Sequence, residues 1–295
     1  MGIDFHALHF LKNASIEKPL GSVVTIGRQR FHIEKSLFSK IMDSNSGYQN
    51  FEFCEKALTQ YMGANNVDSI DISDYENASL IHNMNLPLPD LLREKYDVVI
   101  DAGSLEHIFN VPMALLNCSQ LLKPGGRIFH IAPANNYCGH GFWQFSPELF
   151  YSLYSIENGY NNTRIFLADT NQRKNWYFVK KPDNGNRVNV VTSTPLLILV
   201  ETTKVSSGFS HSSVFQSDYL AIWNSSEPSE VSNNLSFSYK TRLKRISKQN
   251  KTIRKLLQKT YSLFLANVNS IIRFKTSLND NPYLKSVKVG SDLTL

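Results

Sequence analysis

Small and polar residues follow each predicted strand in the first half of this 295-residue chain. In chain order they are Gly27, Arg28 and Gln29; Asp71 and Ile72; Asn83 and Met84; Asp101, Ala102, Gly103 and Ser104; and Asn135 and Asn136. Carboxylate, amide and hydroxyl groups can hydrogen-bond a polar ligand, and glycine lets the backbone approach it closely. If these strands lie in one parallel sheet, their carboxyl ends meet at one edge and form a binding crevice there.

Two histidines stand beside this set of residues. His107 follows Glu106 directly after the fourth strand, and His140 lies in the loop NNYCGHGFWQFSP, Asn135 to Pro147. A histidine can exchange a proton near neutral pH. The loop also combines flexible glycines with aromatic walls such as Trp143, which favours a substrate site.

No cluster of His, Cys, Asp or Glu has the spacing of metal ligands along the sequence, so we expect no metal. The three cysteines are scattered, which favours a reducing, cytoplasmic compartment over a disulfide framework. The N-terminus lacks the apolar core of a signal peptide, and the longest apolar run, Leu196 to Val200, is too short to span a bilayer. We therefore expect neither export through a cleaved signal nor an integral membrane protein.

Strands and helices must alternate to position these residues. Five strands are predicted, at Gly21 to Gly27, Val67 to Ser73, Ser79 to Asn85, Tyr96 to Gly103 and Arg127 to Pro133, with a helix at Val111 to Leu122. Two later strands, Thr163 to Asp169 and Pro195 to Lys204, have no helical pattern between them and should pair antiparallel at one sheet edge. The pattern predicts an α/β fold.

The segment from Tyr96 to Pro133, YDVVIDAGSLEHIFNVPMALLNCSQLLKPGGRIFHIAP, resembles the class I S-adenosylmethionine-dependent methyltransferases of the type 11/12 kind. A strand ending in an acidic residue, a Leu-Glu-His at the next helix start and a LLKPGG turn form the family's ordered combination. The resemblance covers roughly Gly21 to Lys204. It implies a Rossmann-like sheet, mostly parallel, with an antiparallel terminal hairpin.

The resemblance also implies S-adenosyl-L-methionine as cofactor, with Asp71 accepting from the ribose hydroxyls and Asn83 from the adenine amino group. Met84 would pack on the adenine ring. The remaining residues of the strand ends, from Gly27 to Gln29, Ile72, and Asp101 to Ser104, would complete the cofactor site. Gly27-Arg28-Gln29 stands where the family has a G-x-G-x-G loop, and Arg28 could compensate by pairing with the methionine carboxylate.

Methyl transfer to a hydroxyl needs alignment and removal of a proton. His140 is the first candidate for the general base and His107 the second, with Glu106, Asn135, Asn136 and Trp143 binding substrate. A structural or merely substrate-contacting role remains the alternative for the histidines. Glu106 could instead bond backbone at a helix N-terminus.

The expected function is O-methylation of a small-molecule, carbohydrate or nucleotide-linked acceptor, as in bacterial surface-polysaccharide biosynthesis. A non-catalytic relative that serves as a binding partner or scaffold is the second reading. A dinucleotide-dependent oxidoreductase is disfavoured by the absent GxGxxG, and a serine hydrolase by the absent G-x-S-x-G elbow.

Positive charge is concentrated at the C-terminal end. Residues 1–238 carry 18 basic and 23 acidic residues, whereas residues 239–295 carry 13 basic and two acidic ones. We expect a methyltransferase-like domain at 1–223, a linker at 224–238 and a basic amphipathic helical extension at 239–295. The extension could dock on its own domain or a partner subunit, or touch an anionic membrane surface; nucleic acid is the least favoured partner.

Overall fold

The computed structural model describes residues 2–42, 48, 50–182, 185–209, 214–224 and 277–291. The strands are β1 (Gly2–Ile3), β2 (Gly21–Ile26), β3 (Arg30–Phe31), β4 (Ala64–Asp71), β5 (Leu80–Ile81), β6 (Tyr96–Ala102), β7 (Leu122–Asn135), β8 (Tyr160–Asp169), β9 (Asn175–Val179), β10 (Leu196–Lys204) and β11 (Leu284–Lys288). The helices are α1 (Phe5–Glu17), α2 (Lys35–Met42), α3 (Glu55–Tyr61), α4 (Val111–Leu121), α5 (Pro147–Leu153) and α6 (Ser217–Asn224). The fold is mixed α/β.

Nine of these strands form one sheet in the order β11, β9, β8, β10, β7, β6, β2, β4, β5. The five strands from β7 to β5 run parallel to their neighbours, and the pairs between β7 and β11 are antiparallel. From β2 the chain continues to β4 and β5 on one side and returns to place β6 and β7 on the other. This reversal puts a crevice at the carboxyl ends of β2 and β6.

Helix α1 covers one face of the sheet. Asp4 caps its first turn by accepting from the amide of Ala7 at 2.8 Å. Phe10 then meets Phe129 of β7 and Phe166 of β8 edge-on, with ring centroids 5.8 and 6.0 Å apart. Because side chains alternate along a strand, the next residue of β7, His130, faces the opposite side.

The predicted parallel strands and the helix after β6 are confirmed, but two details differ. The predicted strand from Ser79 to Asn85 shortens to β5, because the chain turns at Asn83, whose carbonyl accepts from the amide of Leu86. The pair β8 and β10 is antiparallel as predicted. It does not lie at the edge, since β9 and β11 extend the sheet beyond it.

Residues 225–276, which hold nearly all of the predicted linker and most of the predicted helical extension, lie outside the described residues. Near the end of that extension the expectation of helix is wrong at Leu284–Lys288, which forms β11 and pairs with β9. The segment Leu-Lys-Ser-Val-Lys has no alternating apolar pattern of its own, so it is the pairing with β9 that makes these residues a strand.

The chain divides into two compact units. The first comprises Met1–Lys181, Thr192–Val214 and Leu284–Leu295, and contains the nine-stranded sheet. The second comprises Pro182–Val191 and Phe215–Tyr283, where Arg187 forms an ion pair with Asp218 of α6. Within the parts of the chain described above, no helix has the length and apolar character needed to cross a membrane.

Candidate functional site

A cleft of about 250 Å³ opens at the carboxyl ends of β2, β4, β5 and β6. It lies in the first unit, at the point where the strand order reverses. Its lining residues are Ile26, Gly27, Ile70, Asp71, Ile72, His82, Asn83, Met84, Asn85, Gly103, Ser104, His107 and Ile108. Seven of the residues expected at the cofactor are therefore together in one cleft: Gly27, Asp71, Ile72, Asn83, Met84, Gly103 and Ser104.

Backbone forms the floor of the cleft between β2 and β6. Gly27 has a φ of +72°, and a Cβ there would lie 2.6 Å from the hydroxyl oxygen of Ser104. That hydroxyl donates to the carbonyl of Ile26 at 2.6 Å and so ties the two strand ends together. Only glycine fits both the backbone conformation and the close approach.

Asp71 and Asn83 form one wall of the cleft. The Asp71 Oδ1 accepts from the amide of Ile72 at 2.7 Å, which fixes the carboxylate at the end of β4. The Asn83 Oδ1 accepts from the backbone and side-chain nitrogens of Asn85 at 3.0 and 2.8 Å. Because that oxygen is already engaged, its predicted acceptance from an adenine amino group competes with the bonds from Asn85.

Asn117 positions Met84 and was not anticipated as a site residue. It is fully buried on α4, its Oδ1 accepts from the amide of Leu88, and its Nδ2 donates to the carbonyls of Met84 and Leu86. The available signal was an asparagine among apolar residues of a helix, because a buried amide needs several partners. His82 and Ile108, which also line the cleft, were not anticipated either.

Arg28 does not line the cleft, contrary to the predicted pairing with a methionine carboxylate. Its Nε contacts Glu55 Oε1 at 2.7 Å, its Nη1 donates to the carbonyl of Glu76 at 2.6 Å, and its guanidinium lies 4.0 Å from the Phe53 ring centroid. The guanidinium therefore stabilises the turn after β2. Its neighbour Gln29 is buried and donates to the carbonyl of Ile26.

Asp101 and Ala102 are likewise buried behind the cleft rather than exposed in it. Asp101 Oδ1 accepts from the amides of Ser104 and Leu105 at 2.9 and 3.2 Å, and Oδ2 lies 3.1 Å from His130 Nδ1. The other ring nitrogen of His130 lies 2.7 Å from the Tyr154 hydroxyl. Asp101 thus shapes the turn that presents Ser104, and His130 is a core residue.

Glu106, His107 and His140 converge at the mouth of the cleft, although sequence spacing predicted no such cluster. Glu106 Oε1 lies 3.3 Å from His140 Nε2 and 3.9 Å from His107 Nε2. The two imidazole centroids are 4.9 Å apart. The loop after β7 folds back onto the turn after β6, so residues 33 positions apart in sequence become neighbours.

The electrostatics of this cluster follow from burial. Glu106 is fully buried, and burial together with the nearby charge of Asp101 raises the pKa of its carboxyl group to about 8. Burial and the neighbouring His140 lower the pKa of His107. His107 is therefore favoured in its neutral form, which can accept a proton or bind a cation.

The predicted substrate residues lie around this cluster but do not line the cleft. Asn135 and Asn136 both hold Thr192: the Asn135 amide donates to its hydroxyl at 3.3 Å, and the Asn136 amide to its carbonyl at 2.8 Å. Trp143 donates through Nε1 to the carbonyl of Ile108 at 3.0 Å while its ring stays partly exposed. The polar groups of these three side chains stabilise the loops, and the Trp143 ring remains available to a ligand.

Residues 51–130 match the model of a family described as a methyltransferase domain. This segment contains β4, β5 and β6, most of β7, and the cleft residues from Ile70 to Ile108. A comparison with curated proteins gave no match.

Three solved structures to which this chain is similar at low identity are the following. The 1,6-didemethyltoxoflavin-N1-methyltransferase of Burkholderia thailandensis, solved with S-adenosylhomocysteine, is 12% identical over 68% of this chain and 78% of its own, with a TM-score of 0.36. The N-methyltransferase NodS of Bradyrhizobium japonicum is 10% identical over 67% and 94%, with a TM-score of 0.36. YcgJ of Bacillus subtilis is 11% identical over 68% and 99%, with a TM-score of 0.37.

The domain match and the cleft coincide, because the matched segment supplies most of the cleft lining. The predicted enzyme class and cofactor are confirmed: the protein is a methyltransferase, and S-adenosylmethionine is its cofactor.

Proposed function

We propose that this protein has the Rossmann-like class I fold and transfers a methyl group to a hydroxyl of a small, carbohydrate-like or nucleotide-linked acceptor. The observation that carries the proposal is the convergence of a polar cleft and a pair of histidines at one sheet edge. The cleft offers a carboxylate, amides and a bare glycine backbone, and His107 belongs both to the cleft and to the histidine pair.

The donor set of the cleft fits S-adenosylmethionine. That molecule supplies a methyl group on a sulfonium, which is activated for transfer. Asp71 would accept from the ribose hydroxyls, Met84 would pack on the adenine, and the backbone at Gly27 and Gly103 would border the amino-acid part. Gly27 lines the cleft without a side chain, so a ligand there would meet backbone.

We assign the proton-accepting role to His107 rather than to His140, which reverses the order that the sequence favours. His107 borders the cleft, whereas the Nε2 of His140 is buried against Glu106. A neutral imidazole at the cleft can accept the proton of a hydroxyl that is aligned with the methyl group. His140 and Glu106 then stand behind His107 as positioning residues.

Exposed aromatic rings support a cyclic acceptor. The Phe109 ring contacts both Phe142 and Trp143, with centroid distances of 5.9 Å and 6.3 Å. Phe109 and Phe142 are 72% and 66% exposed, which is unusual for side chains of this size. An aromatic wall next to polar groups suits the apolar face and hydroxyl rim of a sugar ring. Such an acceptor is consistent with cytoplasmic polysaccharide-precursor synthesis.

The proposal is tested by the formation of S-adenosylhomocysteine from S-adenosylmethionine with a panel of acceptors. The panel contains monosaccharides, nucleotide-linked sugars and amines of matched size. We expect turnover with hydroxyl acceptors, and we expect His107→Ala to lower kcat while S-adenosylhomocysteine still binds. Turnover only with amines would contradict the assignment of O-methylation, and an unchanged kcat in His107→Ala would contradict the assigned base.

A further inference from the structure

We propose that Glu106, His107 and His140 form a binding site for a divalent transition-metal cation at the mouth of the cleft. One ligand atom from each residue, an imidazole nitrogen or a carboxylate oxygen, lies within 4.8 Å of the other two. This inference does not depend on the acceptor proposed above, because it concerns binding and not turnover.

The distances between these side-chain atoms are close to those between the ligand atoms of a bound metal ion. Ligand atoms on a cation with bonds of about 2.1 Å lie roughly 3.0 to 3.4 Å apart in octahedral or tetrahedral geometry. The Glu106 Oε1 to His140 Nε2 distance of 3.3 Å is already in this range, and the distance to His107 Nε2 is 3.9 Å. The His107 side chain is about half exposed, so its ring can turn the remaining few tenths of an ångström.

The polar atoms of the cluster lack other partners. Both carboxylate oxygens of Glu106 and the Nε2 of His140 are buried, and apart from the approaches within the cluster none has a polar partner among the residues that the structure describes. An unpaired buried carboxylate costs several kcal/mol unless a charge compensates it. A carboxylic acid that simply keeps its proton would relieve that cost, but it would not account for two imidazoles directed at the same point.

The backbone holds the three residues together by contacts unrelated to a ligand. The amide of Phe142 donates to the carbonyl of Glu106 at 2.7 Å, and the indole of Trp143 donates to the carbonyl of Ile108 at 3.0 Å. Gly141, at a φ of +69°, packs so closely that a Cβ would lie 2.7 Å from the Glu106 carbonyl oxygen. His140 is therefore fixed next to Glu106 by a built junction between two loops.

Two imidazoles and one carboxylate favour Mn²⁺, Fe²⁺, Co²⁺ or Zn²⁺ over Mg²⁺ and Ca²⁺, which prefer oxygen ligands. Three protein ligands leave coordination positions open. Because His107 lines the cleft, an open position would face the acceptor. With a cation bound through its Nε2, His107 would act as a ligand and not as the proton acceptor, so the base assigned above belongs to the metal-free protein.

The test is a titration of the tag-free, full-length protein with CoCl₂, followed by the visible absorption of bound Co²⁺, and with MnCl₂, followed by the loss of the free Mn²⁺ signal in electron paramagnetic resonance. We expect one ion per chain and no competition from MgCl₂ in equal concentration. Glu106→Gln, His107→Ala and His140→Ala should each weaken Co²⁺ binding at least about 10-fold, since even outer-shell changes produce losses of that size.

His32→Ala is the matched control, because His32 is exposed on the same unit and outside the cluster; its Co²⁺ affinity should equal that of the wild type. If His140→Ala does not fold, the isosteric Glu106→Gln and the half-exposed His107→Ala still decide the question. The absence of Co²⁺ binding at about 1 mM metal, far above ordinary site affinities, would overturn the proposal. Unchanged binding in Glu106→Gln would do the same. Calorimetry with S-adenosylhomocysteine on the same samples separates this failure from a failure of the cofactor site.

Discussion

The amide of Phe142 donates to the carbonyl oxygen of Glu106 at 2.7 Å, and this bond joins the loop after β7 to the turn after β6. Its consequence is that the two loops that carry His107 and His140 are held next to each other. The junction places an exposed aromatic wall, a buried carboxylate and two imidazoles around the open end of a cleft. The chemistry proposed for this protein depends on that junction as much as on the individual side chains.

Gly141→Ala tests the junction directly. The substitution adds a Cβ at 2.7 Å from the Glu106 carbonyl and forces alanine into a positive φ, so we expect a loss of about 1 to 3 kcal/mol in the free energy of unfolding. Gly139→Ala is the matched control two residues away, since nothing lies within 4 Å of its Cβ position. Urea unfolding of both variants gives the comparison, and equal stabilities would contradict the close packing described for this loop.

Arg28→Ala tests whether the Arg28 side chain stabilises the turn after β2 or contacts the cofactor. Loss of the contacts with Glu55, Phe53 and the Glu76 carbonyl should cost about 1 to 2 kcal/mol of stability, because the guanidinium is three-quarters buried. We expect the dissociation constant for S-adenosylhomocysteine to change by less than about 3-fold, which is within the range of indirect effects.

Glu55→Gln, which removes the charge partner of Arg28 without touching the cleft, should reproduce part of the stability loss. A large loss of cofactor affinity in Arg28→Ala with wild-type stability would restore the carboxylate pairing that the sequence suggested.

His130→Phe tests the buried chain of polar groups behind the cleft. Phenylalanine fits the stacked site beside Phe150, where the ring centroids are 5.2 Å apart. It leaves the Asp101 carboxylate and the Tyr154 hydroxyl without their imidazole partner. We expect a loss of about 2 to 4 kcal/mol, because a buried charge loses a hydrogen bond. Tyr154→Phe removes one neutral hydroxyl and should lower the free energy of unfolding by less. If chemical denaturation shows the larger loss for Tyr154→Phe, the hydrogen bonds of His130 are not what stabilises the turn.

Much of the fold could be predicted because its signals are local. The run from Tyr96 to Gly103 is apolar in the way of a strand buried on both faces, and the helix after it begins at a cap and a proline, Asn110 and Pro112. Strands β9 and β11 were not predicted, since β11 depends on a pairing with β9 that spans more than a hundred residues, and β9 in turn lies between β11 and β8. Helix α1 was not predicted either, although Asp4 is an ordinary capping residue.

Residues of the site could be predicted where they follow a strand end, because the strand ends meet at one edge of the sheet. They could not be predicted where a contact depends on how a loop folds. Gly27, Asp71 and Ser104 follow strand ends and do meet in one cleft. Asp101 also follows a strand end in the sequence. Its side chain is nevertheless buried behind the cleft, because one oxygen accepts from the amide of Ser104 and the other contacts His130. The convergence of Glu106 with His140 depends on a loop folding back, and no spacing along the sequence encodes that.

The most direct test of the central assignment, a cofactor held at the carboxyl ends of β2, β4 and β6, is calorimetry with S-adenosylhomocysteine on the wild type, Asp71→Ala and Asp74→Ala. Asp71 lines the cleft, whereas Asp74 is exposed three residues later and carries the same charge. The account predicts that Asp71→Ala weakens binding about 10-fold to 100-fold through loss of charge-assisted hydrogen bonds, while Asp74→Ala binds as the wild type does. Equal dissociation constants for all three proteins would contradict it.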